Sequence, residues 1–107
     1  MAQELDATVI ALLDLVEYQS GSVVSRTILK KPSGTVTAFA FDAGEGLSEH
    51  TASFEALALV FEGDAEISIS GAPRRLKGGD LLRLPAGQPH AVKALSKFKM
   101  LLIMLKD

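Results

Sequence analysis

Two histidines, His50 and His90, are the only imidazoles in this 107-residue chain, and cysteine is absent. The missing cysteine excludes disulfides, thiolate metal sites and a cysteine nucleophile. An imidazole can act as an acid, a base or a ligand to Zn, Ni or Fe, so these two residues are the natural place for chemistry. Hydroxyl chemistry has little to build on. Ser48, Ser53, Ser68 and Ser70 sit in no recognisable nucleophile turn. Ser48 is two residues from His50, and that spacing on a strand makes no triad. Gly44-Glu45-Gly46 precedes no strand-to-helix signal, so no phosphate-binding loop is present.

The elements that must carry these residues are short. After Gly21, apolar runs alternate with turn punctuation. The runs are Ser22–Lys30, Thr35–Phe41, Phe54–Phe61, Ala65–Ser70, Leu81–Leu84, His90–Ala94 and Lys99–Leu105. Between them stand Pro32-Ser33-Gly34, Gly44-Glu45-Gly46, Gly63-Asp64, Gly71-Ala72-Pro73, Gly78-Gly79-Asp80 and Pro85-Ala86-Gly87. Evenly spaced short strands with turn signals predict an all-β sandwich or barrel. Only the N-terminal segment, residues 1–20, reads otherwise. Leu5, Val9, Leu12, Leu13 and Val16 fall near a helical period, while Thr8–Leu13 also reads as an edge strand, so a short helix or a strand is expected there.

Ala56–Phe61 and Met100–Leu105 are apolar on both faces. A half-exposed antiparallel strand alternates apolar with polar, so both faces of these strands need cover. One faces the barrel interior. The other needs a second sheet, the N-terminal segment or a partner subunit, and a homodimer is the expectation.

Composition bounds the rest. Hydrophobic residues make up 48% and charged residues 22%, with a net charge of −2, which suits one globular domain spanning residues 1–107. Lys30-Lys31 and Arg74-Arg75 are isolated basic pairs, too little for a nucleic-acid footprint. No apolar stretch reaches the roughly 20 residues of a membrane helix. Met1-Ala2-Gln3-Glu4-Leu5-Asp6 has no basic leader region, and a cytoplasmic location is expected.

The stretch from Gly46 to Ala94 resembles the cupin family. Its second motif is a Gly, five residues, Pro-x-Gly, two residues, His, three residues and Asn. Here Gly79, Pro85-Ala86-Gly87 and His90 keep that spacing, and Ala94 replaces the Asn. The first motif, built on His-x-His with a following Glu and Gly, is reduced. His50 and Gly63 hold its first and last positions, while Ala52 and Ala56 stand where the second His and the Glu belong.

The resemblance implies an antiparallel jelly-roll β-barrel with His50 and His90 brought together at its open end. It also implies a reduced metal site: either no cofactor, or a weakly bound divalent ion (Zn, Ni, Fe or Mn) on His50 and His90. A carboxylate would complete a two-His-one-carboxylate site, and Glu49 and Glu55 are near in sequence. If Ala52 and Ala56 share a strand face with His50, both carboxylates point away, unless a one-residue bulge between Ala52 and Glu55 reverses it, which makes Glu55 the better candidate ligand of the two. Small residues at these positions leave space for a small-molecule ligand. Its expected contacts are His50, Ala52, Phe54, Ala56, Gln88 and His90, with Phe39, Phe41 and Met100 as apolar walls. Three functions follow: a small-molecule-binding cupin, a metal-dependent cupin enzyme of dioxygenase or isomerase type using His50 and His90, or a dimeric barrel with no ligand.

Overall fold

The computed structural model describes residues 7–106. It contains nine strands: β1 (Val23–Lys31), β2 (Gly34–Phe41), β3 (Gly46–Thr51), β4 (Glu55–Glu62), β5 (Asp64–Ile69), β6 (Ala72–Lys77), β7 (Leu81–Leu84), β8 (Pro89–Ala94) and β9 (Phe98–Leu105). They form two antiparallel sheets, one in the order β1-β2-β9-β4-β7 and the other β3-β8-β5-β6. The sheets face each other as a jelly roll. Each of the seven apolar runs becomes a strand. The remaining two, β3 and β6, are polar and lie at the two edges of the four-stranded sheet. An edge strand pairs on one side only, so it tolerates charge and Pro73, and its sequence reads as a loop.

The expected N-terminal helix or edge strand is a single 3-10 turn, Leu12–Asp14, with no side-chain cap. Leu5 lies outside the described residues. The helical period fails because burial does not follow it. Leu15 and Val16 are buried side by side, whereas Val9, Leu12 and Leu13 stand in solvent.

Inward-facing residues alternate along each strand. Phe41, Ala56, Ala58, Val60, Ala65, Ile67, Val92, Ala94, Phe98 and Met100 fill the space between the sheets. Phe41 and Phe98 stack at 4.4 Å between ring centroids, with planes 6° apart. Gly63 joins β4 to β5 at φ +82°, and a Cβ there would stand 1.9 Å from the Lys97 carbonyl oxygen. Only glycine fits that crossing, which gives the closing position of the first motif its physical cause.

The outer face of the five-stranded sheet holds a second cluster. Leu15 and Val16 pack on Ala38 and Ala40, with Tyr18, Val24, Ile28 and Leu101 around them. Three polar contacts fasten the segment. Lys99 Nζ donates to the Leu13 carbonyl at 2.7 Å, Arg26 donates to the Leu15 carbonyl at 3.0 Å, and the Tyr18 hydroxyl donates to Glu62 at 2.6 Å. The segment therefore folds back on its own sheet from Leu13 to Tyr18. Among the described residues no helix is long and apolar enough to cross a membrane.

Candidate functional site

His50 and His90 are direct cross-strand partners on β3 and β8. On β8, His90, Val92 and Ala94 alternate inward and are buried. On β3 the register shifts between Leu47 and His50. That bulge inserts one residue, so Leu47 and His50 reach the same face although they are three apart. The two rings meet edge to face, with centroids 4.3 Å apart and planes at 67°.

The turn that delivers His90 is tied down on several sides. Gly87 takes φ +80°, the conformation a type II turn demands at its third residue. The Gly87 amide donates to the Ala52 carbonyl at 2.8 Å, and the Gln88 amide reaches the Pro85 carbonyl at 3.4 Å. The Ala86 amide donates to Glu55 Oε2 at 2.9 Å, while Arg83 Nε donates to Glu55 Oε1 at 2.7 Å. These contacts, led by the Ala86 amide and then Arg83, hold the Glu55 carboxyl below the usual carboxylate range.

The two imidazoles live in different surroundings. His50 is exposed, and its Nδ1 lies 3.0 Å from the Ser48 carbonyl. A carbonyl only accepts, so Nδ1 carries a hydrogen there and Nε2 is left free of this contact. His90 is only 7% exposed, and its Nδ1 is buried without a hydrogen-bond partner. Burial pushes the His90 pKa down, and the neighbouring His50 adds to the shift. The Gln88 backbone acts the other way, as the last of the three causes. His90 is thus a neutral imidazole with an unused polar atom.

Behind the pair lies a small cavity walled by Leu47, Ala58, Ile67, Leu84, Val92, Met100 and Leu102. It offers about 20 Å³ to the centre of a water molecule, room for roughly one water. Of the residues expected to line a pocket, His50, His90 and Met100 meet here. Ala56 and Phe41 are buried in the core, with Phe39 stacked 5.8 Å from Phe41. Ala52 sits between β3 and β4 and gives its carbonyl to Gly87. Phe54 lies under the Lys106 ammonium, 5.5 Å from its ring centre. Gln88 is exposed and accepts from Ser70 Oγ at 3.4 Å. The aliphatic wall residues carry no signal in the sequence that separates them from ordinary core.

The fit of a metal ion can be tested on these groups. Two imidazoles on one ion at a right angle have ring centroids roughly 4.5 Å apart, given nitrogen–metal distances of about 2.0–2.1 Å. The observed 4.3 Å suits that. No third ligand joins them. Among the described residues no three His, Asp or Glu side chains gather in reach of one ion. Glu55 is committed to Arg83 and the Ala86 amide. The residues present do not fit a tightly held resident ion.

Two facing antiparallel sheets with a histidine pair at one end define a cupin-type barrel. The chain matches the Cupin domain family over residues 38–105 and belongs to it. A conserved protein of unknown function from Streptococcus pyogenes is 31% identical, with a TM-score of 0.91 over 96% of this chain and 90% of that one. A Cupin 2 conserved barrel domain protein from Leptotrichia buccalis is 41% identical, with a TM-score of 0.86 over 89% of this chain. The match spans 46% of that longer chain. A cupin superfamily protein from Desulfitobacterium hafniense is 29% identical, with a TM-score of 0.90 over 96% of this chain and 94% of that one. No curated protein sequence matches.

Proposed function

We propose that this cupin binds a small molecule at the His50–His90 pair and holds no resident metal ion. The observation that carries the reading is the buried, unpartnered Nδ1 of His90 beside an otherwise apolar cavity. A buried polar atom left unpaired costs about 1–3 kcal/mol, and a ligand group that pairs with it recovers that cost. The ligand class follows from the surroundings. His90 is held neutral, so the site is set for a neutral hydrogen-bonding group, not for a carboxylate that requires a cation. The walls Leu47, Val92 and Leu102 suit an apolar body. Small alcohols, phenols and amides meet both demands. The cavity has room for about one hydroxyl or carbonyl oxygen, and the rest of such a ligand lies at the mouth beside the exposed His50.

The test is a fragment screen read by histidine ring NMR signals and thermal shift. A ligand that binds only the native state raises its stability. Phenol- or amide-bearing fragments are expected to move the His90 ring signals and to lose affinity in His90→Phe. The reading fails if no fragment moves those signals, or if His90→Phe binds as the native chain does.

The cross-strand histidine pair favours one second reading, a metal-dependent enzyme completed by water or substrate. Metal analysis after dialysis against chelator separates the two. One equivalent of metal retained through chelation replaces the first reading with the second.

A further inference from the structure

Two β-bulges aim side chains at the same end of the barrel. One lies between Leu47 and His50 and turns His50 inward on β3. The other lies between Thr27 and Leu29 on β1. Before it Thr27 pairs with Thr37, and beyond it Lys30 pairs with Thr35. Thr37 and Thr35 pair in turn with Leu102 and Met104, which pack against the core between the sheets. Directly paired residues share a face, so Thr27 and Lys30 both face inward. Without the extra residue Lys30 would point outward, as Ile28 does. The row through Lys30, Thr35 and Met104 continues to Ala56 and Leu84. Leu84 directly precedes the Pro85–Gly87 turn that delivers His90, so Lys30 stands at the histidine end of the barrel.

Lys106 joins it from the end of β9. Its amide donates to the Ser33 carbonyl at 2.8 Å, and its ammonium lies 5.5 Å from the Phe54 ring centre. Both lysines are exposed. Neither has a carboxylate partner among the described residues. The acids near this end are directed elsewhere. Glu55 is held by Arg83 and the Ala86 amide, and Glu49 alternates to the face opposite His50. Between the lysines and the cavity the inner face carries hydroxyls. Thr35 Oγ1 is buried with no hydrogen-bond partner. Thr37 pairs with Leu102, itself a wall of the cavity behind the histidines.

We infer that Lys30 and Lys106 bind an anionic group of the ligand whose neutral end meets His90, with Thr35 hydrogen-bonding along its body. The inference rests on the reading of the histidine pair as a small-molecule site. It narrows the ligand to a small organic anion with a hydroxyl, phenol or amide at the opposite end. The apolar cavity and the two ammonium groups divide the work by chemistry: neutral hydrogen bonding inside, charge at the rim. Sheet geometry sets the length. Strand spacing of about 4.8 Å and a two-residue repeat of about 6.7 Å put the Lys30 and Lys106 backbones roughly 12–13 Å from that of Leu102. The four-carbon lysine stems cover about half of that, which leaves about 6 Å for the ligand body.

The test compares para-hydroxyphenylpropionate with its uncharged primary amide, by calorimetry and by the His90 ring NMR signals. The native chain is expected to bind the acid roughly 10-fold more tightly, because charge-assisted hydrogen bonds are the stronger kind. The preference should shrink as salt is raised, since the rim is exposed. Lys30→Met with Lys106→Met should lower acid binding to the level of the amide, with an unchanged circular dichroism spectrum. Lys31→Met removes a charge from the outer face of the same hairpin and should keep the preference. If both compounds move the His90 signals with equal affinity, this inference falls and the histidine site stands. The same holds if the preference survives the double substitution or is lost in Lys31→Met. If neither compound moves those signals, the site and the inference fall together.

Discussion

Acidification from pH 8 to pH 5 should destabilise the protein through His90, and the sign follows from its burial. His90 is neutral in the folded chain because burial, and secondarily His50, lower its pKa from the ordinary 6.5. Above that value both states are neutral and the native state keeps its full stability. Below it the unfolded chain takes up a proton that the native state resists. Stability then falls with a slope approaching about 1.4 kcal/mol per pH unit, and levels off once the folded pKa is passed. Between pH 6.5 and pH 5 this amounts to at most about 2 kcal/mol, or a Tm lower by up to roughly 8–16 °C for a domain of this size. The lowered carboxyls of Asp42 and Glu55 act elsewhere. Their stabilisation is present above ordinary values of 3.8 and 4.5 and is lost only as pH falls below these. Urea denaturation at half-unit steps of pH, on the native chain and on His90→Gln, isolates the term. The variant should show a flat profile between pH 8 and pH 5. His50→Gln should shrink the slope without abolishing it, because burial is the larger cause. A His90→Gln profile as steep as that of the native chain would refute the reasoning.

Other consequences follow from single contacts. Glu55→Gln weakens the hold on the Pro85–Gly87 turn, so hydrogen exchange of the Ala86 amide should accelerate, and unchanged protection there would show that the turn needs no carboxylate. Phe98→Ala removes a fully buried ring stacked on Phe41 and should cost about 3–5 kcal/mol in urea denaturation; a loss under about 1 kcal/mol would mean the core refills the space. Lys99→Met deletes the ammonium that donates to the Leu13 carbonyl, a charge-assisted bond of the kind that contributes about 1.5–3 kcal/mol. Proteolysis near Leu12–Leu13 should then quicken, and native resistance to cleavage would count against the anchor.

The substitutions at Ala52 and Ala56 reach further than ligand loss. Where the resemblance expects side chains for a metal, Ala52 offers a carbonyl to the turn before His90, and Ala56 packs into the core. Glu55, the nearest alternative ligand, is spent on the same turn. The groups around the histidine pair therefore fix the shape of the mouth, and polar capacity is concentrated on His90 Nδ1 and His50 Nε2.

Much of this was legible in the sequence because it rests on local rules. Turn residues and apolar runs mark seven strands, since Gly and Pro punctuate a chain wherever φ is constrained. The spacing Gly79, Pro85-Ala86-Gly87, His90 marked the turn and the histidine it delivers, and Gly87 takes the positive φ that the turn requires. Strands β3 and β6 escaped because edge strands need no apolar alternation. Only the tertiary structure decided the rest. The bulge between Leu47 and His50 changes side-chain parity, and no residue type announces it. The break between β3 and β4 puts His50 and Ala56 in different sheets, so counting alternate residues from one to the other has no meaning. Whether an alanine or leucine lines a cavity or fills the core depends on what stands opposite it across the two sheets. That is a matter of packing between residues distant in sequence, and neither composition nor local periodicity encodes it.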